Sequence, residues 1–240
     1  MGRDGRETDS AELPDTMEAL ATILHYWRGQ EIYAADSPAA YWYRMVRGNA
    51  RKYEARSDGR RQIVDFLLPG DFFGLITRDE HRFSVEAVSD GTAVARYPRR
   101  RIERLVDFDP RIGRSIREAA FEASSRSQAR MVILGRMSAI EKVGAFLIEM
   151  AERTRGPMLD ELELSMSRYD IADYLGLAAE TVSRTLSELR QSGAIRFEGT
   201  HRVHIHDRAA LSEGGLEDDW SGDRRRGRGS QIRPVIGWIP

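Results

Sequence analysis

The sequence predicts an α+β protein: an N-terminal antiparallel β-roll, a long dimerisation helix and a C-terminal winged helix-turn-helix. Three observations carry this expectation. Between Glu31 and Tyr97, short β-rich runs alternate with glycine-containing turns. From Asp107 to about Met137 the pattern is helical for about 30 residues, where globular helices average about 11–12. Near the C-terminus, Val182, Leu186 and Leu189 recur at i, i+4 and i+7, giving one apolar helical stripe. A shorter pattern (Tyr169, Ile171, Ala172, Tyr174, Leu175) and a Gly176-Leu177 break precede it. Two short helices joined by a tight turn, with polar groups opening the second, describe a helix-turn-helix.

Composition narrows the function. With 240 residues, 31% charged and 41% apolar, the chain has the make-up of an ordinary soluble protein with room for two modest domains. No run reaches the roughly 18 apolar residues of a membrane span, and the first ten residues lack the apolar core of a secretory signal. A cytoplasmic protein without membrane contact is expected. There are no cysteines, so disulfides, thiolate metal sites and cysteine-held iron–sulfur clusters are excluded. The net charge of −1 gives no overall basic field, so any nucleic-acid contact must come from local placement.

Along the chain, residues 1–16 are polar and read as disordered, and Met17–Leu24 reads as a short leading helix. The β-roll spans 17–107. Its runs are Glu31–Ala34, Tyr41–Val46, Ala50–Ala55, Gln62–Leu67, Phe83–Val88 and Thr92–Tyr97. Asp58-Gly59 marks a hairpin and Pro69-Gly70 a type II turn, both because glycine supplies a positive φ. Arg99–Val106 reads as a short helix, followed by the dimerisation helix, 108–137. Its predicted seam contains Ile112, Ile116, Ala119, Ala123, Arg130, Ile133 and Met137. The winged-helix unit spans 138–211. Ser138 with Glu141 forms a capping-box pattern, and Ser167 with Asp170 opens the first helix of the motif. Ile195–Phe197 and Val203–Ile205 flank a turn and form the wing. Residues 212–240, rich in Gly, Asp and Arg, read as a disordered tail.

A helix entering the major groove reads bases with its first residues. Arg184 can donate two parallel hydrogen bonds to guanine, Glu180 can accept from the cytosine amino group, and Ser183 suits either base edge. The alternative for Glu180 is that it only favours the positive helix N-terminus. Phosphate contacts are expected from Ser167, Arg168, Thr181, Thr185 and Arg190, and from Thr200, His201 and Arg202 on the wing. His204 and His206 share a strand face, but the spacing is a weak metal signal and no metal site is expected. No nucleophile–base pair or phosphate-cradling glycine loop points to an enzyme.

These residues resemble the CRP/FNR superfamily of bacterial transcription regulators, specifically its FixK-like branch. The resemblance spans about residues 20–210. It rests on Asp58-Gly59-Arg60, on Gln62 through Asp71, and on Ser167 through Leu177 followed by Glu180-Thr181-Val182-Ser183-Arg184. It implies a roll of the cyclic-nucleotide-binding type, a homodimer on double-stranded DNA, a TTGAT- or TTGAC-type palindrome and activation through RNA polymerase. The sequence also departs from the family. Leu75 stands where the cyclic-AMP branch has the ribose-binding Glu, and Arg82-Phe83-Ser84 is one place out of register for the phosphate-binding pair. The oxygen-sensing cysteines are missing. The expectation is therefore a regulator that needs no cofactor. The runner-up is a regulator gated by a ligand or by heme through His25 or His81. Ala178 stands where the family commonly caps the recognition helix with Ser or Thr, a cap worth about 0.5–2 kcal/mol.

Overall fold

The computed structural model describes residues 14–57, 59–155 and 160–212. The expectations of disorder for the first residues and for the tail fall almost entirely outside that range.

Eight strands build the roll: β1 (Thr22–Tyr26), β2 (Glu31–Tyr33), β3 (Tyr41–Arg47), β4 (Ala50–Ala55), β5 (Arg61–Leu67), β6 (Phe72–Phe73), β7 (Ser84–Ala87) and β8 (Thr92–Pro98). They form two four-stranded antiparallel sheets, ordered β1-β8-β3-β6 and β2-β7-β4-β5. Tyr33, Tyr43, Met45, Leu67, Phe73, Val85 and Val94 fill the roll. Alternation along β8 turns Ala95 and Tyr97 to the other face, where they pack with Met17, Trp42, Ile102 and Ile112. The two turns expected from glycine form: Gly59 (φ +81°) lies in the loop joining β4 to β5, and Gly70 (φ +96°) follows Pro69.

The leading segment differs from expectation. Helix α1 (Asp15–Glu18) is a single turn, and Thr22–Tyr26 is a strand paired with β8 from Thr22↔Arg96 to Tyr26↔Thr92. β-Branched Thr22 and Ile23 favour extended backbone, and Met17 is buried in the outer core rather than on a helix stripe.

Beyond the roll come α2 (Arg99–Phe108) and the long α3 (Pro110–Arg136). The Asp109 side chain caps α3 by accepting from the Arg111 amide, with Pro110 in its first turn. The expected capping box opens α4 (Ala139–Arg155): Glu141 accepts from the Ser138 amide at 2.7 Å. The remaining elements are β9 (Glu161–Glu163), α5 (Arg168–Leu175), α6 (Ala179–Gln191), β10 (Ile195–Glu198), β11 (Arg202–Ile205) and α7 (Arg208–Ser212). The wing is a three-stranded sheet, β10-β11-β9, one strand more than the sequence suggested. Helix α7 extends the unit to Ser212 and lies on α4 at Gly144, where a Cβ would collide with the Leu211 carbonyl oxygen.

Of the seam predicted on α3, Ile112 and Arg130 are corrections. Ile112 is fully buried in the outer core, and Arg130 is buried and hydrogen-bonded within the chain. Ile116 and Ile133 pack against the chain's own cores, and Ala119, Ala123 and Met137 are half-buried on the same side. Periodicity correctly marked this face as covered, but the cover is the roll and the winged helix of the same chain. The exposed side of α3 carries Arg114, Arg117, Phe121, Ser124, Gln128, Met131 and Gly135, spaced alternately by three and four residues. Phe121 and Met131 are 69% and 66% exposed there.

One core joins roll and winged helix. Ile63, Phe66, Leu68 and Val88 of the roll pack with Phe146 and Leu147 of α4, Ile171 and Tyr174 of α5, and Leu186 and Leu189 of α6. The Phe66 ring meets Tyr174 at 5.1 Å and Phe146 at 6.0 Å between centroids.

Candidate nucleic-acid interface

The interface is built on α5 and α6. Ser167 caps α5 as expected. Its Oγ accepts from the Asp170 amide at 3.1 Å, while Asp170 Oδ2 accepts from the Ser167 amide at 3.1 Å. Gly176 ends the helix in the left-handed region at φ +65°, and the Leu177 amide returns to the Ala172 carbonyl at 3.0 Å. The chain then turns into α6. Ala178 makes no side-chain cap bond there, as its chemistry dictates.

Val182, Thr185, Leu186 and Leu189 form the buried stripe of α6. Glu180, Ser183 and Arg184 lie exposed on the opposite face. Among the described residues, no cation lies within ion-pair distance of Glu180. Arg184, 71% exposed, reaches only Glu188, at 3.9 Å. Ser183 Oγ donates to the Ala179 carbonyl one turn back, at 2.9 Å. The three groups thus share one outward face near the helix start, with the guanidinium and carboxylate almost uncommitted.

The expected phosphate-binding set divides. Arg190 is exposed and Thr181 half-buried on the flanks of α6, and Thr200, His201 and Arg202 are exposed at the tip of the wing. His201 Nδ1 lies 3.0 Å from the Leu164 carbonyl, and Arg202 sits between Glu161 (3.2 Å) and Glu198 (3.6 Å). Arg168 is half-buried with its guanidinium 5.2 Å from the Phe197 ring centroid, so it also ties α5 to the wing. Ser167 spends its hydroxyl on the capping box. Thr185 is a correction: at 3% exposure it belongs to the core stripe, three residues after Val182. His204 pairs with Glu198 at 2.9 Å, and among the described residues no group of three or more His, Cys, Asp or Glu could hold a metal ion.

Sequence reasoning missed Arg51, Gln62 and the inward role of Arg130, all of which touch α5 from outside the winged helix. Arg51 and Asp170 are 119 residues apart, and local patterning gives no signal at that distance.

In the roll, a cavity of about 510 Å³ is bounded by Lys52, Asp65, Leu67, Phe73, Leu75 and His81 and, on α3, by Ala120 and Ala123. Its residues fit a cyclic nucleotide poorly. Leu75 offers no carboxylate to a ribose, and Arg82, which also lines the cavity, is 70% exposed with Glu54 at 4.0 Å. Lys52 lines the cavity together with Arg78 and Arg82, and burial lowers the pKa of Lys52, with Asp65 opposing that shift.

A helix-turn-helix with an exposed second helix, a wing, a β-roll and a long helix between them define a DNA-binding transcription regulator. Two family models match: the cyclic nucleotide-binding domain over residues 23–108 and the Crp-like helix-turn-helix domain over residues 141–213. The chain is 40% identical over 219 residues to the nitrogen fixation regulation protein FixK of Azorhizobium caulinodans, covering 88% of this chain and 86% of that one. It is 32% identical over 222 residues to the transcriptional activator protein FnrL of Cereibacter sphaeroides, covering 89% and 88%. The solved structure of FixK2 from Bradyrhizobium japonicum superposes with a TM-score of 0.75 at 40% identity, covering 80% of this chain and 96% of that one. The chain belongs to the CRP/FNR family of transcription regulators. Its relatives regulate transcription and are not enzymes.

Proposed function

We propose that this chain is a cytoplasmic transcription activator that binds a TTGAT- or TTGAC-type palindrome as a homodimer and acts through RNA polymerase. Binding requires neither cyclic nucleotide nor iron–sulfur cluster. The observation that carries the reading is the outward trio Glu180, Ser183 and Arg184 on a buried-backed helix, chemically matched to cytosine, either base edge and guanine. Arg190, Thr181, Arg168, Thr200, His201 and Arg202 supply the surrounding phosphate contacts, used twice in a dimer, while Ser167 is committed to its capping box. The exposed seam of α3, centred on Phe121 and Met131, is the surface through which two copies pair. Ligand independence is supported by Leu75, which offers the roll cavity no carboxylate, and by the absence of cysteine from the sequence. A gated regulator is the second reading, favoured by the cavity itself and by the buried His81, whose Nε2 lacks a hydrogen-bond partner.

The test is a gel shift on a TTGAT palindrome against scrambled DNA across a salt series. Specific retardation by the purified protein without added ligand is expected. Equal affinity for both DNAs overturns the reading. Specific binding only after a small molecule or heme is added selects the gated alternative.

A further inference from the structure

Helix α5 is gripped at both ends by side chains that lie outside the winged-helix unit. At its start, Arg51 of β4 pairs with Asp170, the carboxylate of the capping box, and holds Glu86 of β7 at 2.6 Å on its other side. Asn49 in the preceding turn donates to Ser165 at 2.8 Å. At its end, the carbonyls of the last turn have no intrahelical donor and carry the negative pole of the helix. Gln62 of β5 donates to the Asp173 carbonyl at 2.6 Å, and Arg130 of α3 donates to the Tyr174 carbonyl at 2.8 Å. The same Arg130 also donates to the Ile63 carbonyl at 2.6 Å and to the Val64 carbonyl, and lies over the Tyr174 ring at 4.1 Å.

Arg130 is 9% exposed, and among the described residues no carboxylate lies within ion-pair distance of it. A buried cation without a counter-ion is costly unless its donors are satisfied. Here main-chain carbonyls of β5 and of the C-terminus of α5 satisfy the two terminal nitrogens, while the buried Nε has no partner among the described residues. That arrangement works only while roll, long helix and reader keep their present mutual geometry. One residue after Tyr174 and Leu175 the chain turns at Gly176 into α6, so this end of α5 sets the direction of the recognition helix.

We infer that Arg51, Gln62 and Arg130 are positioning residues for DNA recognition: they clamp α5 to the roll and to α3, and so fix the orientation of α6 without a bound ligand. The inference rests on the dimeric, palindrome-reading function proposed above. Two recognition helices in a dimer must match half-sites about 34–36 Å apart. Each helix is tied through its α5 to its own α3, and α3 carries the exposed seam, so the clamp transmits the dimer geometry to the reading heads.

The experiment uses the full chain and a set of operators whose half-site spacing differs by single base pairs. Gln62→Ala and Arg130→Gln are compared with wild type and with Arg51→Lys, which keeps a cation facing Asp170. The wild type is expected to favour one spacing sharply. Gln62→Ala and Arg130→Gln lose about tenfold in affinity at that spacing and tolerate the neighbouring spacings, while their affinity for scrambled DNA is unchanged. Arg51→Lys keeps the wild-type preference. A purely structural role would lower specific and scrambled binding together through the fraction unfolded and leave the preference sharp, and that result overturns the clamp. If thermal melting shows that Arg130→Gln does not fold, Gln62→Ala decides alone. A wild type without sequence preference overturns the DNA reading itself, and the clamp with it.

Discussion

Glu180 and Arg184 lie one helical turn apart on the outward face of α6, and Arg190 on its flank, and on the proposed function that difference in placement predicts two kinds of contact. A guanidinium reading guanine confers discrimination of about 1–3 kcal/mol, whereas one on phosphate strengthens all sequences alike. Arg184→Ala is expected to relax preference at one base position of each half-site. Arg190→Ala should weaken specific and scrambled DNA similarly and flatten the salt slope by about 1. Binding measured against single-base operator variants checks both, and a uniform loss for Arg184→Ala contradicts its assignment. A second residue-scale prediction concerns His81, 2% exposed and stacked on Tyr33 with ring centroids 3.8 Å apart. Burial, with a contribution from nearby Arg99, holds its pKa below the ordinary histidine value of 6.5. The folded state therefore binds fewer protons than the unfolded state between the depressed value and 6.5. The stabilisation is present above that window and is lost as pH falls through it. The thermal midpoint of wild type should fall more steeply than that of His81→Phe on going from about pH 8 to about pH 5. Parallel curves for the two proteins would show that His81 carries no such linkage.

The long helix α3 has a covered face and an exposed one, and only the first was legible in the sequence. Ile112, Ile116 and Ile133 announce an apolar stripe by spacing, but spacing states that a face is covered and not by what. Arg130 falls within that predicted seam. It is instead a fastener to β5 and α5, a role that exists only in three dimensions. The exposed face escaped notice because Arg114, Arg117, Ser124, Gln128 and Gly135 dilute its two large apolar groups. If that face pairs two copies, Phe121→Glu should shift the protein towards monomer, with a dimer dissociation constant raised at least tenfold. Sedimentation across a concentration series measures this. The same substitution at exposed Val132, beside the seam, should have a smaller effect, and equal effects would place the interface elsewhere. Local chemistry read better than faces did. The capping boxes at Ser138 and Ser167, the turns at Gly59, Gly70 and Gly176 and the stripe of α6 all form as expected, because each is decided by neighbours within a few residues. Strand β1 was missed for the converse reason: its extended form is set by pairing with β8, some 70 residues on.

At the scale of the whole molecule, roll and reader are distinct in sequence and continuous in packing. Phe66 lies against both α4 and α5, and Arg153 of α4 donates to the Phe66 carbonyl at 2.7 Å and pairs with Asp71 at 2.6 Å. Asp65 of the roll lies 3.7 Å from Arg153 and 3.8 Å from Arg126, and burial raises its pKa against the pull of those cations. Units that share a core unfold together, so calorimetry should show one cooperative transition with equal calorimetric and van't Hoff enthalpies. Two resolved transitions would mean that the shared core contributes little. The grip on the end of α5 has one more consequence. Gln62 and Arg130 hold the carbonyls of Asp173 and Tyr174, which every residue type supplies, so this part of the hold makes no demand on the bases being read. Positions 180, 183 and 184 can therefore change while the reading head stays aimed. In such an architecture a lineage can acquire a new operator by substituting a few outward side chains, without rebuilding the machine that points them.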